Sequence, residues 1–197
     1  MGEIAVAEGP EAGESWLFAY GSLMWNPDFD YLDAVPARLS GYHRRFCLYS
    51  YVYRGSREAP GLVLGLDRGG SCWGLAFRIA PSDIDEVLRV VDARELVYNV
   101  YERRHLPIQL GIGEGGVRPR AYAYVVNRSS EHYAGRLPHG RVVELIRQGN
   151  GQRGSCLDYL RNTVAHLEEL GLPDRHLSAL LRKADNQAGT NKPEKLR

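Results

Sequence analysis

The sequence predicts an α+β fold, and three observations predict it. Tyrosine-rich, partly alternating segments fill the first two thirds, helical periodicity fills the last third, and the two kinds of element do not alternate. The 197 residues fit one domain, and 44% hydrophobic with 25% charged residues is a globular composition. Several tyrosine-rich antiparallel strands of this length point to a small, curved sheet. It would form a partial β-barrel with flanking helices, a ligand at its mouth and a helical C-terminal third.

The elements follow in order. Residues 1–14 read as a flexible leader, residues 15–184 as the single domain and 185–197 as a disordered polar tail. The apolar run Ser15 to Tyr20 predicts a strand, and Ala37 to Tyr53 a second one. The runs "GLVLGLD" and "SCWGLAFRIA" flank Arg68-Gly69-Gly70, which reads as a hairpin turn. From Ser82, a good N-cap, Ile84, Val87, Leu88 and Val91 repeat at helical spacing up to "DARE", Asp92 to Glu95. Tyr98–Leu110 and Val117–Asn127 read as strands joined by "GIGEGG". That stretch is a turn and not a dinucleotide loop, because no helical pattern follows it. Helices are expected over "RVVELIRQ", through Leu157, Leu160, Val164 and Leu167 to a stop at Gly171-Leu172-Pro173, and over "DRHLSALLRKA".

Composition narrows the function classes. A net charge of +1 argues against broad nucleic-acid binding, and no apolar run approaches the roughly 20 residues of a membrane helix. No signal peptide is recognisable in the acidic N-terminus. Cys47, Cys72 and Cys156 form no CxxC pair and fit free thiols in a reducing cytoplasm. The six histidines make no metal-like cluster, and Walker, GxSxG and HExxH motifs are absent.

Three short stretches each carry two readings. In Tyr20-Gly21-Ser22-Leu23, the glycine either closes an ordinary strand-ending turn or bares backbone amides as an anion nest. His43 to Phe46, "HRRF", is either an exposed strand face or a carboxylate clamp. "DARE" is either a solvated helix end or the place of a general base, its carboxyl raised in pKa by apolar neighbours.

Together and in this order, "FAYGSLMW", "YHRRF", "CWGLAFRI", "DARE" and "HYAGRLP" resemble the ChaC-type, glutathione-specific γ-glutamylcyclotransferases, over about Trp16 to Leu170. The resemblance implies the cyclotransferase fold, with a small curved mixed sheet or partial β-barrel, flanking helices and a helical C-terminal third, and an intramolecular acyl transfer. The α-amino group of a γ-glutamyl unit attacks its own side-chain amide, releasing 5-oxoproline and, from glutathione, cysteinylglycine. It implies a small-molecule substrate and no metal or organic cofactor. It assigns Glu95 as the catalytic acid/base. Tyr20, Gly21, Ser22 and Leu23, with Met24 next, hold the γ-glutamyl group, and Tyr133 lines the pocket. The chain lacks two glycines that animal members carry soon after this glutamate, and it has Arg136-Leu137-Pro138 in the late motif. These departures bear on substrate selectivity. Other γ-glutamyl amino acids or amines are the alternative substrates, and a non-catalytic regulatory module is the alternative role.

Overall fold

In the computed structural model, residues 14–113 and 118–186 are described. Strands β1 (Ser15–Ala19), β2 (Asp33–Ser50), β3 (Gly61–Ile79), β4 (Tyr101–Leu110) and β5 (Arg120–Val126) form a closed barrel in the order β1-β3-β2-β4-β5. Closure is complete rather than partial. It is made by a short parallel pairing of β1 with β5, Trp16 against Ala121 and Leu17 against Tyr122, while the other pairings are antiparallel. The sheet is therefore mixed, as expected.

The glycines of "RGG" do not make a hairpin turn. β3 runs unbroken through them and stays paired with β2 from Gly61 to Arg78. The register shifts between Ser40 and Tyr42, so Gly41 on β2 faces Gly69 and Gly70 on β3. All three have positive φ, at 87°, 100° and 70°. Both strands thus bend at one place, a bulge that curls a long ribbon into a small barrel. β2 also begins at Asp33, before the expected Ala37, and ends at Ser50.

Apolar side chains alternate into the barrel as period-two strands require. Leu62, Leu64 and Leu66 are each at most 1% exposed. They join Leu17, Phe18, Phe77 and Tyr124 in one continuous core. Helix α1 (Ile84–Glu95) buries Val87, Leu88 and Val91. Its N-cap is Asp83 rather than Ser82, whose hydroxyl instead donates to the Asp83 carboxylate at 2.7 Å. Helices α2 (His139–Gln148), α3 (Cys156–Glu169) and α4 (Arg175–Asn186) add Ile146, Leu160, Val164 and Leu177 to the same core.

Between α2 and α3 lies a two-residue hairpin, β6 (Asn150–Gly151) with β7 (Gly154–Ser155). Ser155 then caps α3, accepting from the Asp158 amide at 3.0 Å. The stop at Gly171 is a Schellman turn. Leu172 N–H bonds Leu167 C=O at 2.8 Å, Gly171 N–H bonds Glu168 C=O at 3.0 Å, and Gly171 has φ 68°.

α4 continues through Asp185 and Asn186, past the expected domain end at 184. It is held there in part by an Arg161–Asp185 ion pair of 2.6 Å. Of the expected leader only Glu14 is described, and it pairs with Arg78 at 3.2 Å. The rest of the leader, the second half of "GIGEGG", and the tail beyond Asn186 lie outside the described residues. Among the described residues, no helix is long and apolar enough to cross a membrane.

Candidate active site

β1 ends at Ala19, and Gly21 leads into a single 3-10 turn, Ser22–Met24. Such a turn leaves its first amides without partners inside it. The Gly21 carbonyl and the Ser22 carbonyl are used within the loop, accepting from Met24 at 2.9 Å and Asn26 at 2.9 Å. The amides of Gly21, Ser22 and Leu23 donate to no other backbone group among the described residues. Gly21 has φ −136°, so no left-handed backbone demands a glycine here. The demand is steric: a Cβ at this position would stand 3.1 Å from the Tyr159 hydroxyl.

The loop is pinned from behind by Arg44, whose side chain is only 3% exposed. Its Nε donates to the Tyr20 carbonyl at 2.6 Å, one terminal nitrogen donates to the Trp73 carbonyl at 2.5 Å, and the other pairs with Asp174 at 3.2 Å. Arg45 reaches the Gly135 carbonyl at 3.0 Å and Asp67 at 3.4 Å. "HRRF" is therefore neither an exposed strand face nor an open clamp. Its arginines are consumed by internal carbonyls and carboxylates.

The residues of "DARE" divide three tasks at the end of α1. Asp92 accepts from the Tyr124 hydroxyl at 2.6 Å and pairs with Arg103 at 2.5 Å, which ties the helix end to β5 and β4. Arg94 donates to Ser22 Oγ at 2.8 Å, to the Asn26 carbonyl at 2.7 Å and to Asp28 at 2.8 Å, and its Nε lies 3.2 Å from Glu95 Oε1. Glu95, three residues beyond Asp92, turns back toward the barrel, with its side chain 17% exposed. "DARE" is not a solvated helix end.

Beyond it the chain makes a second 3-10 turn, Val97–Asn99, with Tyr98 at φ 61° and Asn99 at φ 52°. The strand expected from Tyr98 starts only at Tyr101. The two left-handed residues turn the chain out of the helix and lay the Tyr98 ring on His132, 5.7 Å between centroids.

Two cavities share Ser22, Glu95, Tyr101 and Tyr159. The smaller adds Tyr20, Gly21 and Leu23 to its walls, and the larger opens between Tyr49–Arg54, Tyr98, His132 and Arg153. Glu95 and the Tyr20-Gly21-Ser22 loop thus line one cleft. Burial raises the Glu95 carboxyl above its ordinary pKa, and the charges of Arg94 and Arg153 only partly offset that. Burial, reinforced by the charge of Glu95, likewise raises the phenols of Tyr20, Tyr101 and Tyr159, which stay neutral. The Tyr101 hydroxyl donates to the Leu64 carbonyl at 2.7 Å.

Two expected residues stand apart. Met24 is 7% exposed and belongs to the core rather than to a cavity wall. Tyr133 is not brought to this cleft: its hydroxyl donates to Asp67 at 3.0 Å, and its ring packs with Cys47, Leu48 and Val126. A lone β-bridge between Leu48 and Tyr133 fixes that direction and gives the cleft the preceding residue, His132, instead. Period-two alternation at a bridged residue would have separated the pair, but nothing local in "HYAGRLP" announces the bridge. Arg94, Tyr101, Tyr159 and Arg153 line the cleft without having been singled out. Arg94 and Tyr101 were legible as near neighbours of Glu95, whereas Arg153 and Tyr159 arrive from distant segments.

Comparison with known proteins agrees with this architecture. The chain is 30% identical over 187 residues to the glutathione-specific γ-glutamylcyclotransferase of Escherichia coli (strain K12), covering 94% of this chain and 79% of that protein. It is 32% identical over 171 residues to glutathione-specific γ-glutamylcyclotransferase 1 of Mus musculus, covering 84% and 76%. In structure it is similar to a yeast γ-glutamylcyclotransferase specific to glutathione, with a TM-score of 0.81 at 20% identity over 89% of this chain and 97% of that one. The sequence model of the ChaC-like protein family matches residues 15–187, nearly the whole of the described fold, and the chain belongs to that family.

Proposed function

We propose that this protein is a γ-glutamylcyclotransferase that converts glutathione to 5-oxoproline and cysteinylglycine, with Glu95 as general acid/base. The observation that carries the reading is the placement of one largely buried carboxylate in the same cleft as a loop with free amides. The names of the relatives support the substrate.

The chemistry follows from that placement. Glu95 takes a proton from the α-ammonium of the γ-glutamyl group, because an ammonium is not a nucleophile. The freed amine attacks the γ-carbonyl carbon, forming the lactam C–N bond. Negative charge on the carbonyl oxygen is met by N–H donors of the Gly21–Leu23 loop, already oriented by Arg44 and Arg94. The amide bond to cysteine then breaks, the departing amine receives the proton held by Glu95, and the ring nitrogen gives up its second proton, which leaves the lactam N–H and completes the ammonium of cysteinylglycine. No water is consumed, since both products are parts of one substrate. Ring closure within one molecule makes orientation the main task, worth on the order of 7–11 kcal/mol in favourable cases. The neutral phenols of Tyr20, Tyr101 and Tyr159 wall the small cavity and keep the dielectric around Glu95 low.

Incubating the purified protein with glutathione tests the reading. Equimolar 5-oxoproline and cysteinylglycine are expected, and absence of 5-oxoproline from any γ-glutamyl substrate would refute it. Turnover of γ-glutamyl-alanine at a rate above that of glutathione would move the substrate and keep the reaction. Cytoplasmic residence belongs to the same proposal, supported by three buried free thiols.

A further inference from the structure

Three arginines stand on the larger part of the cleft, and they are not equivalent. Arg94 is paired with Asp28 and Glu95. Arg54 gives its guanidinium to the carbonyls of Arg153 and Ser155 and lies 5.0 Å over the Tyr159 ring. Arg153 lines the same cleft and, among the described residues, has no carboxylate in ion-pair contact. It is nevertheless held in place. Its amide donates to the Tyr53 carbonyl at 3.0 Å, and its guanidinium rests 4.3 Å from the centroid of the Tyr53 ring.

The platform beneath it is unusually close-packed. Gly55, Gly61, Gly149 and Gly151 bring the chain around Arg54 against the β6–β7 hairpin that carries Arg153. A Cβ at any of the four would overlap facing backbone, for example the Arg54 carbonyl at Gly61 and Gly149. Side chains are excluded at all four positions by contact alone, and the hairpin cannot swing without breaking them. A cation so fixed has lost little further freedom when it meets an anion, which is what a preorganised binding group requires.

We propose that Arg153 is a specificity-determining residue that receives the terminal carboxylate of the peptide leaving from the γ-glutamyl group. The inference rests on the cyclotransferase reading and deepens it. Glu95 and the Gly21–Leu23 loop engage one end of the substrate, the γ-glutamyl unit. Beyond the γ-glutamyl unit with its own α-carboxylate, the anionic group of glutathione is the terminal carboxylate at its other end. Among the described residues, Arg153 is the one of these three guanidiniums that neither a carboxylate nor a carbonyl engages, and it lines the larger cavity but not the loop-lined pocket. A planar guanidinium binds a carboxylate bidentately, whereas an ester or amide offers it no charge. Arg153 therefore selects γ-glutamyl peptides with a free C-terminus over γ-glutamyl amines.

The test compares glutathione with its glycine monoethyl ester, following 5-oxoproline, in the wild type and in R153Q and R153K. The wild type is expected to favour glutathione by about 10- to 100-fold in kcat/KM, chiefly through KM, the size of one charged hydrogen-bonded contact. R153Q is expected to collapse that preference to near unity by raising KM for glutathione, and R153K to restore part of it. Two outcomes would overturn the inference. One is a wild type indifferent to esterification. The other is an R153Q whose loss falls equally on both substrates in kcat, which would make Arg153 a structural support or a field acting on Glu95. Absence of 5-oxoproline from both substrates in the wild type would instead refute the cyclotransferase reading itself.

Discussion

Glu95 works against the stability of the fold in order to be useful. Burial raises its pKa, so the folded state binds its proton more tightly than the unfolded chain does. Its contribution to stability is complete below the unfolded value, about 4.3, and is lost as pH rises through the folded value. Glu95→Gln is therefore expected to have a higher Tm than the wild type near pH 7.5, with the difference shrinking towards pH 4. In the same variant 5-oxoproline formation should fall by at least about 10³-fold while glutathione still binds, a loss of about 4 kcal/mol of transition-state stabilisation. Turnover within tenfold of wild type would remove Glu95 from the base role. The raised pKa also sets the acid limb of kcat/KM above the ordinary carboxylate range, and a pH–rate profile reads it directly.

Gly21 makes a second demand at this scale. Gly21→Val places a branched side chain where the Tyr159 hydroxyl would be 3.1 Å from its Cβ. It should raise KM by tenfold or more with a small change in Tm. An unchanged KM would make the loop an ordinary turn.

At the scale of elements, the end of α1 decides where Glu95 points, and Asp92 holds that end. Tyr124 is 1% exposed, and Asp92 is its hydrogen-bond acceptor. Asp92→Ala leaves the hydroxyl buried without a partner, which costs about 1–3 kcal/mol. It also frees the helix from β4 and β5. A lower midpoint in urea and a lower kcat are expected together, with Asp92→Asn, which keeps an acceptor, recovering most of both. Equal kinetics in Asp92→Ala and wild type would show that the loop-side contacts of Arg94 suffice. Periodicity read this helix correctly, because Val87, Leu88 and Val91 report a local fact, the 100° turn per residue. It did not read β3. A positive-φ glycine looks the same in a hairpin turn and in a bulge, and here the difference was made by Gly41, far back in the chain, facing Gly69 and Gly70.

For the whole molecule, the cysteines are part of the core. Cys47, Cys72 and Cys156 are each at most 3% exposed, and burial raises all three thiols, Cys47 and Cys156 to about 12. A native sample should react with no thiol reagent on the timescale that labels a free surface cysteine, and 5-oxoproline formation should survive prolonged exposure to iodoacetamide. Rapid labelling with loss of activity would contradict a buried structural role. Replacing all three by alanine removes buried volume and lowers Tm, with the residual folded fraction still active.

By itself the sequence determined the α+β class, the helices, the separation of strands from helices and the two motifs that meet in the cleft. Each of these depends on patterns within a few residues of one another, and the order of the motifs carried the family. The tertiary structure alone decided which neighbours each motif met. It closed the barrel through β1 and β5, turned the Tyr133 hydroxyl to Asp67, and brought Arg44, Arg153 and Tyr159 around the loop and Glu95. Those are contacts between segments separated by tens of residues. Their free energy comes from burial and close packing summed over the assembled molecule, to which no local pattern is sensitive.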